Sequence, residues 1–73
     1  MNTVSGIVVL AQETRFRLVD DEGRDRLFLL SHSAGIEPED LPRLQREKTR
    51  VLVGYSHGPG LVAQVANAIY AKD

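Results

Sequence analysis

The 73-residue chain has no cysteine and no tryptophan, and its only aromatic residues are two phenylalanines and two tyrosines. Without cysteine, neither disulfides nor thiolate zinc sites can stabilise the fold, so its stability must come from packing and hydrogen bonds. The sequence also lacks a secretory signal pattern and any apolar run near the roughly 20 residues that span a bilayer. These absences predict a soluble, cytoplasmic protein that does not act in a membrane.

An excess of positive charge is missing as well. Nine Lys and Arg residues face ten Asp and Glu residues, for a formal net charge of −1, so any surface for nucleic acid must be a local patch. A chain this short has room for one core, which favours a binding module over an enzyme. We expect a single domain over residues 1–73, with no catalytic residues, no bound metal and no cofactor.

The sequence contains one catalytic motif, but the residues around it argue against a catalytic role. Gly54, Ser56 and Gly58 form a G-x-S-x-G pattern after a strand-like segment, as a hydrolase nucleophile elbow does. That fold places an acid and then a histidine after the serine, yet no histidine follows His57 and only Asp73 follows as an acid. We therefore interpret residues 56–60 as a turn.

The first half of the chain predicts three strands. Residues 4–11 are apolar and rich in β-branched side chains, and Gly6 would permit a bulge or bend there. Residues 14–19 alternate, with Phe16 and Leu18 on one face and Arg15 and Arg17 on the other. The acidic segment before Gly23 predicts a hairpin turn, and residues 25–31 predict a third strand that is apolar on both faces.

The second half predicts a short helix and two further strands. Prolines interrupt residues 33–49, and Leu41 and Leu44 can anchor one helical turn there. Residues 49–55 predict the fourth strand. Residues 61–70 are ambiguous, because their apolar positions follow a helical period slightly better than a strand period.

If residues 61–70 form a strand, the order is that of an OB-type fold, an all-β, five-stranded barrel with a short helix between strands 3 and 4. Several short segments then resemble the cold-shock domain family. They are Gly-Ile-Val from Gly6, Arg15-Phe16-Arg17-Leu18-Val19 in place of Gly-Phe-Gly-Phe-Ile, residues 25–29 in place of Asp-Leu-Phe-Val, residues 47–53, the turn at residues 58–60, and Gln64-Val65-Ala66-Asn67 in place of Gln-Ala-Ala-Asn. The last match favours a strand over a helix for residues 61–70.

The resemblance implies binding of single-stranded RNA or DNA, because cold-shock proteins stack bases on exposed rings of their first three strands. Of those rings only Phe16 and Phe28 remain here, and other residues occupy the remaining ring positions: Leu10, Ala11, Leu18, Leu30 and Ser31. Each stacked base contributes about 1–3 kcal/mol, so we expect weak binding. The candidate nucleic-acid-binding residues are Arg15, Phe16, Arg17, Phe28, Leu30 and His32.

Each candidate also has a structural interpretation. Phe16 and Phe28 are the kind of residue that fills the core of a small barrel. Arg15, Arg17, Arg24 and Arg26 would form one basic edge, and Arg43, Arg46, Lys48 and Arg50 a second, or both sets would belong to an ordinary solvated surface. His32 and His57 lack metal-ligand spacing and are interpreted as loop residues.

The alternative function is that of a protein-interaction or structural barrel, with a protein partner or a second copy of the chain bound instead of nucleic acid. In that hypothesis Leu10, Leu18 and Leu30 would form an apolar patch or dimer surface.

Overall fold

The structure is a computed structural model that describes residues 2–57 and 63–72. It contains five strands, β1 (Asn2–Gln12), β2 (Arg15–Asp20), β3 (Asp25–Leu30), β4 (Arg50–His57) and β5 (Gln64–Ala71). A 3-10 turn (Pro38–Asp40) leads into one short helix, α1 (Leu41–Arg46), between β3 and β4. The predicted fold, an all-β five-stranded OB-type barrel with a short helix between strands 3 and 4, is confirmed.

The strands close into a barrel in the order β1-β2-β3-β5-β4. β1 is long enough to pair with two neighbours, β2 through its second half and β4 through its first half. Every pairing is antiparallel except that of β3 with β5, which is parallel. Closure removes the free edges that a flat five-stranded sheet would leave.

Gly6 lies where β1 passes from one partner strand to the other, opposite both Asp20 of β2 and Val51 of β4. A Cβ atom at this position would lie 2.2 Å from the Val19 carbonyl oxygen, so only glycine fits the close approach of the two backbones. Of the bulge or bend expected at Gly6, the bulge lies elsewhere, because the β1–β2 register shifts between Val8 and Leu10. The extra residue there is Val9, and its side chain is exposed.

β5 settles the ambiguous segment as a strand over the part that is described. Val65 and Ala66 pair with both neighbours, β3 on one side and β4 on the other. The periodicity of a single segment cannot include these long-range partners, so the helical pattern was misleading. The predicted turn at residues 56–60 is wrong for Ser56 and His57, which belong to β4, and so is the interpretation of His57 as a loop residue. Residues 58–62, which hold the rest of that turn and the start of the ambiguous segment, lie outside the described residues.

The core is formed by buried side chains from all five strands. Its largest fully buried strand residues are Phe16, Phe28, Leu18, Val8, Val51 and Val53. Leu41 and Leu44, the residues predicted to anchor the helix, are buried with them where α1 packs against β1. The helix ends at Arg46, and two residues later Lys48 has a φ of 52° and the Thr49 N–H donates to the Leu44 carbonyl, 3.1 Å away. No helix in the described ranges is long and apolar enough to cross a membrane.

Candidate functional site

Phe16 and Phe28, the two rings predicted to stack on bases, lie inside the barrel. They are 1% and 0% exposed, respectively, and they are direct cross-strand partners whose ring centroids are 5.4 Å apart. Phe28 also meets the Tyr55 ring edge-on at 5.5 Å. The interpretation of these rings as exposed stacking platforms is therefore corrected, because a ring packed on all sides offers no face to a base.

The other predicted contact residues divide between core and surface. Leu30 is buried and belongs to the core, and only a small part of it reaches the groove beside His32. His32 is exposed in the loop after β3. The apolar patch predicted from Leu10, Leu18 and Leu30 is also corrected, because Leu18 is fully buried and only Leu10 is exposed.

The exposed side of β1, β2 and β3 carries a mixed apolar and basic surface, which we call the outer face. Leu10, Arg17 and Leu27 lie in one row across the three strands, and Arg15 pairs with Leu29 in the neighbouring row. Leu10 is 49% exposed and Leu27 is 38% exposed. The residues of the outer face are Leu10, Gln12, Arg15, Arg17, Leu27 and Leu29.

A shallow groove of about 160 Å³ runs over this surface between Leu10 and Leu27 and is flanked by the two arginines. Arg17 forms an ion pair with Asp25, with 3.7 Å between the charged atoms and half of each side chain exposed. Such an exposed pair is weak, so it leaves the guanidinium available to a ligand. Arg15 forms no ion pair with any acidic residue in the described ranges.

A second groove begins beside Leu29, at the end of the outer face. Leu29, Ile36 and Pro38 supply its apolar side, and His32 and Glu37 lie among its polar residues. Sequence reasoning missed this groove because the loop of residues 31–38 gives no periodic signal. Only the closed barrel brings that loop against β5, where the Ile69 N–H donates to the Ala34 carbonyl at 3.3 Å.

Arg26 does not belong to a basic edge. Its side chain points inward, and one guanidinium nitrogen donates to the Tyr55 hydroxyl at 2.9 Å and to the Gln64 side-chain oxygen at 3.1 Å. The other terminal nitrogen lies 3.5 Å from Asp20 Oδ2. The guanidinium also lies over the Tyr55 ring, 5.2 Å from its centroid. Arg26 thus joins β2, β4 and β5 from within, and Arg24 pairs at 3.9 Å with Glu22 in the hairpin turn.

Asp20 shapes the β2–β3 hairpin. Its Oδ1 accepts hydrogen bonds from the backbone N–H groups of Glu22 and Arg24, both at 2.9 Å. Gly23 completes the turn with a φ of 83°. The pKa of the Asp20 carboxyl lies below its ordinary value of 3.8, mainly because the Arg24 N–H stabilises the charged form, although burial acts against this.

Two of the four cations of the second predicted basic edge, Arg43 and Arg50, are paired with acids. Arg43 lies 3.9 Å from Asp40, and Arg50 forms a two-point contact with Asp21 on the hairpin turn. The hydrogen bonds of this second pair lower the pKa of Asp21 and raise the pKa of Arg50. These cations stabilise local contacts, so they form no continuous basic surface.

The structure gives no hydrolase geometry to Ser56. The residue lies within β4 rather than at a strand-to-helix turn, and its Oγ accepts a hydrogen bond from the Asn67 side chain at 2.9 Å. In residues 2–57 and 63–72 no three His, Asp or Glu side chains lie close enough together to hold a metal ion.

Neither a protein-family model nor a curated protein sequence matches the chain. Its function is therefore inferred from the geometry of its own residues.

Proposed function

We propose that this chain is a protein-interaction barrel whose outer face binds another protein surface. The observation that carries the proposal is the division of β2 and β3, which place both phenylalanine rings in the core and present Arg15, Arg17, Leu27 and Leu29 on the outer side. The exposed chemistry of these strands is therefore apolar and cationic, without an aromatic platform.

The outer face has the composition of a protein contact. Leu10 and Leu27 offer apolar surface on either side of Arg17. Arginine is enriched in protein interfaces because its planar guanidinium bonds carboxylates in pairs and its stem packs on apolar groups. A groove lined by both leucines and arginines suits an apolar side chain next to an acidic one.

The same face is poorly equipped for single-stranded nucleic acid. General binders of single strands combine a basic groove with stacking rings, and each ring contributes about 1–3 kcal/mol. Here the two phenylalanines are internal, Asp25 neutralises part of the charge of Arg17, and the whole chain carries a net charge of −1.

Weak binding of single-stranded RNA or DNA remains the second candidate, favoured by one observation. Arg15 is exposed and has no acidic partner among the described residues, so its guanidinium is available to phosphate or to the plane of a base. Arg17 and His32 would add to such a contact. Two or three cations give modest affinity that falls steeply with salt.

Site-specific photo-crosslinking in the source cells tests the main proposal. A photoreactive amino acid replaces Leu27 in one variant and the exposed Arg46 of α1 in a matched control. We expect a discrete protein adduct from position 27 and none from position 46. Adducts of equal yield from both positions, or none from either, would contradict the proposal.

Nuclear magnetic resonance titration with DNA and RNA oligonucleotides at low salt tests the second candidate. We expect little or no shift of the β2 and β3 amide signals. Saturable shifts that vanish in Arg15→Gln would replace the protein-interaction proposal with nucleic-acid binding.

A further inference from the structure

Charges of both signs lie around the apolar row of the outer face and its neighbouring groove. Arg15 and Arg17 are exposed on β2, and Glu37 is exposed beside the second groove. The apolar residues between these charges are Leu27, Leu29 and Ile36. We call this set of six residues the split face.

Leu29 connects the cationic residues of the split face, Arg15 and Arg17, with its anionic residue, Glu37. It is the direct cross-strand partner of Arg15, and it lines the same groove as Ile36 and Glu37. Arg15 and Glu37 therefore both lie beside the same apolar residue, Leu29. Neither Arg15 nor Glu37 forms a side-chain ion pair with any described residue.

Such an arrangement is complementary to itself. In a two-fold symmetric contact, residue i of one copy meets residue j of the other, and j meets i. A two-fold axis passing near Leu29 would bring Arg15 of each copy toward Glu37 of the other and bury the apolar residues between them. A foreign acidic segment would satisfy only the arginine half of this surface.

The overall charge does not oppose such pairing. With a net charge of −1, two copies repel each other very little. The split face is small beside the roughly 800 Å² that each partner buries in a standard interface, so the contact should be weak and reversible. A stable dimer at nanomolar concentration is not expected from this surface.

We propose that the partner of the outer face is a second copy of this chain, in a weak isologous dimer held by reciprocal Arg15–Glu37 ion pairs around Leu29. This inference rests on the proposed function and names its partner. The dimer uses residues that are exposed or half-buried in the monomer and none of the buried core, so each monomer keeps its fold when the contact is broken.

Charge reversal followed by mixing tests the symmetry directly. Sedimentation velocity over a concentration series, up to about 1 mM for a weak contact, compares the wild type with Arg15→Glu and with Glu37→Lys. In a dimer of either single variant, both contacts between residues 15 and 37 join like charges. We therefore expect each variant to self-associate at least about tenfold more weakly than the wild type. An equimolar mixture of the two variants restores both pairs, so native mass spectrometry should show mainly heterodimer.

The controls are Arg46→Glu and Glu47→Lys at the exposed end of α1, which change the net charge by the same amounts outside the split face. We expect both to dimerise like the wild type, and circular dichroism checks that all four variants remain folded. A strictly monomeric wild type, or a mixture that forms no heterodimer, would overturn the inference. A monomeric chain that still gives a discrete adduct with another protein from position 27 would reject the second copy while leaving the proposed function in place.

Discussion

The two sides of strands β2 and β3 differ in burial and in chemistry. Their inner side carries Phe16, Leu18, Phe28 and Leu30, all of them buried. Their outer side carries Arg15, Arg17 and two leucines, within reach of solvent or a partner. The difference teaches that the aromatic residues stabilise the barrel, so recognition must use guanidinium groups and aliphatic carbons.

The largest expected effect comes from replacing, one at a time, two neighbouring residues of β3 that lie on opposite sides of the strand. Phe28→Ala should lower the free energy of unfolding by about 3–5 kcal/mol, because it leaves a cavity between Phe16 and Tyr55. Leu27→Ala should cost less than about 1 kcal/mol, since its side chain is partly exposed. Urea denaturation measures both variants, and equal losses would remove the distinction between the sides.

The sequence alone predicted which side chains of β2 point into the barrel. Alternation in residues 14–19 already placed Phe16 and Leu18 on one face and the two arginines on the other. The family resemblance suggested an exposed Phe16 instead. Since a slip of one residue reverses every side chain of a strand, a motif matched by its letters alone can assign the wrong face.

β3 and Arg26 were harder to predict for physical reasons. Residues 27–30 are all apolar, so no alternation distinguishes the inside from the outside. Arg26 points inward because Asp20, Tyr55 and Gln64 satisfy its guanidinium there. These partners come from three other strands, and a pattern local to β3 contains no information about them.

A second prediction tests the closure that separates inside from outside. Gly6→Ala should destabilise the protein by about 2–4 kcal/mol, because its Cβ atom would collide with the β2 backbone at Val19 and Asp20. Thermal unfolding measures the loss, with Ser5→Ala on the same strand as the control. An unchanged melting temperature for Gly6→Ala would contradict the close approach of the two backbones.

Arginine can be compared on the inner and the outer side of these strands. Arg26→Met removes a guanidinium that bonds Tyr55 and Gln64 inside the barrel, so we expect a loss of about 1–3 kcal/mol. Arg17→Met removes only the exposed pair with Asp25 and should change stability by less than about 0.5 kcal/mol. Chemical denaturation of both variants measures the two changes in the free energy of unfolding. A greater loss for Arg17→Met would show that the outer arginine is the structural one.

Acid titration gives the smallest expected effect. Because the pKa of Asp20 in the folded chain lies below its ordinary value of 3.8, its ionised form stabilises the fold fully above that value. This stabilisation is lost as the pH falls through the lower, folded-state pKa. In Asp20→Asn the free energy of unfolding should therefore depend less on pH below about pH 4 than in the wild type. An identical pH dependence in the two proteins would contradict the role assigned to this carboxylate.

The most direct test of the division between the two sides is the accessibility of their side chains to a soluble paramagnetic gadolinium chelate, measured by nuclear magnetic resonance. The ring signals of Phe16 and Phe28 should keep their intensity, while the methyl signals of Leu10 and Leu27 and the ring signals of the exposed Tyr70 should broaden. Phenylalanine rings that broaden as strongly as Tyr70 would place them on the surface. That result would restore base stacking as the function of these strands.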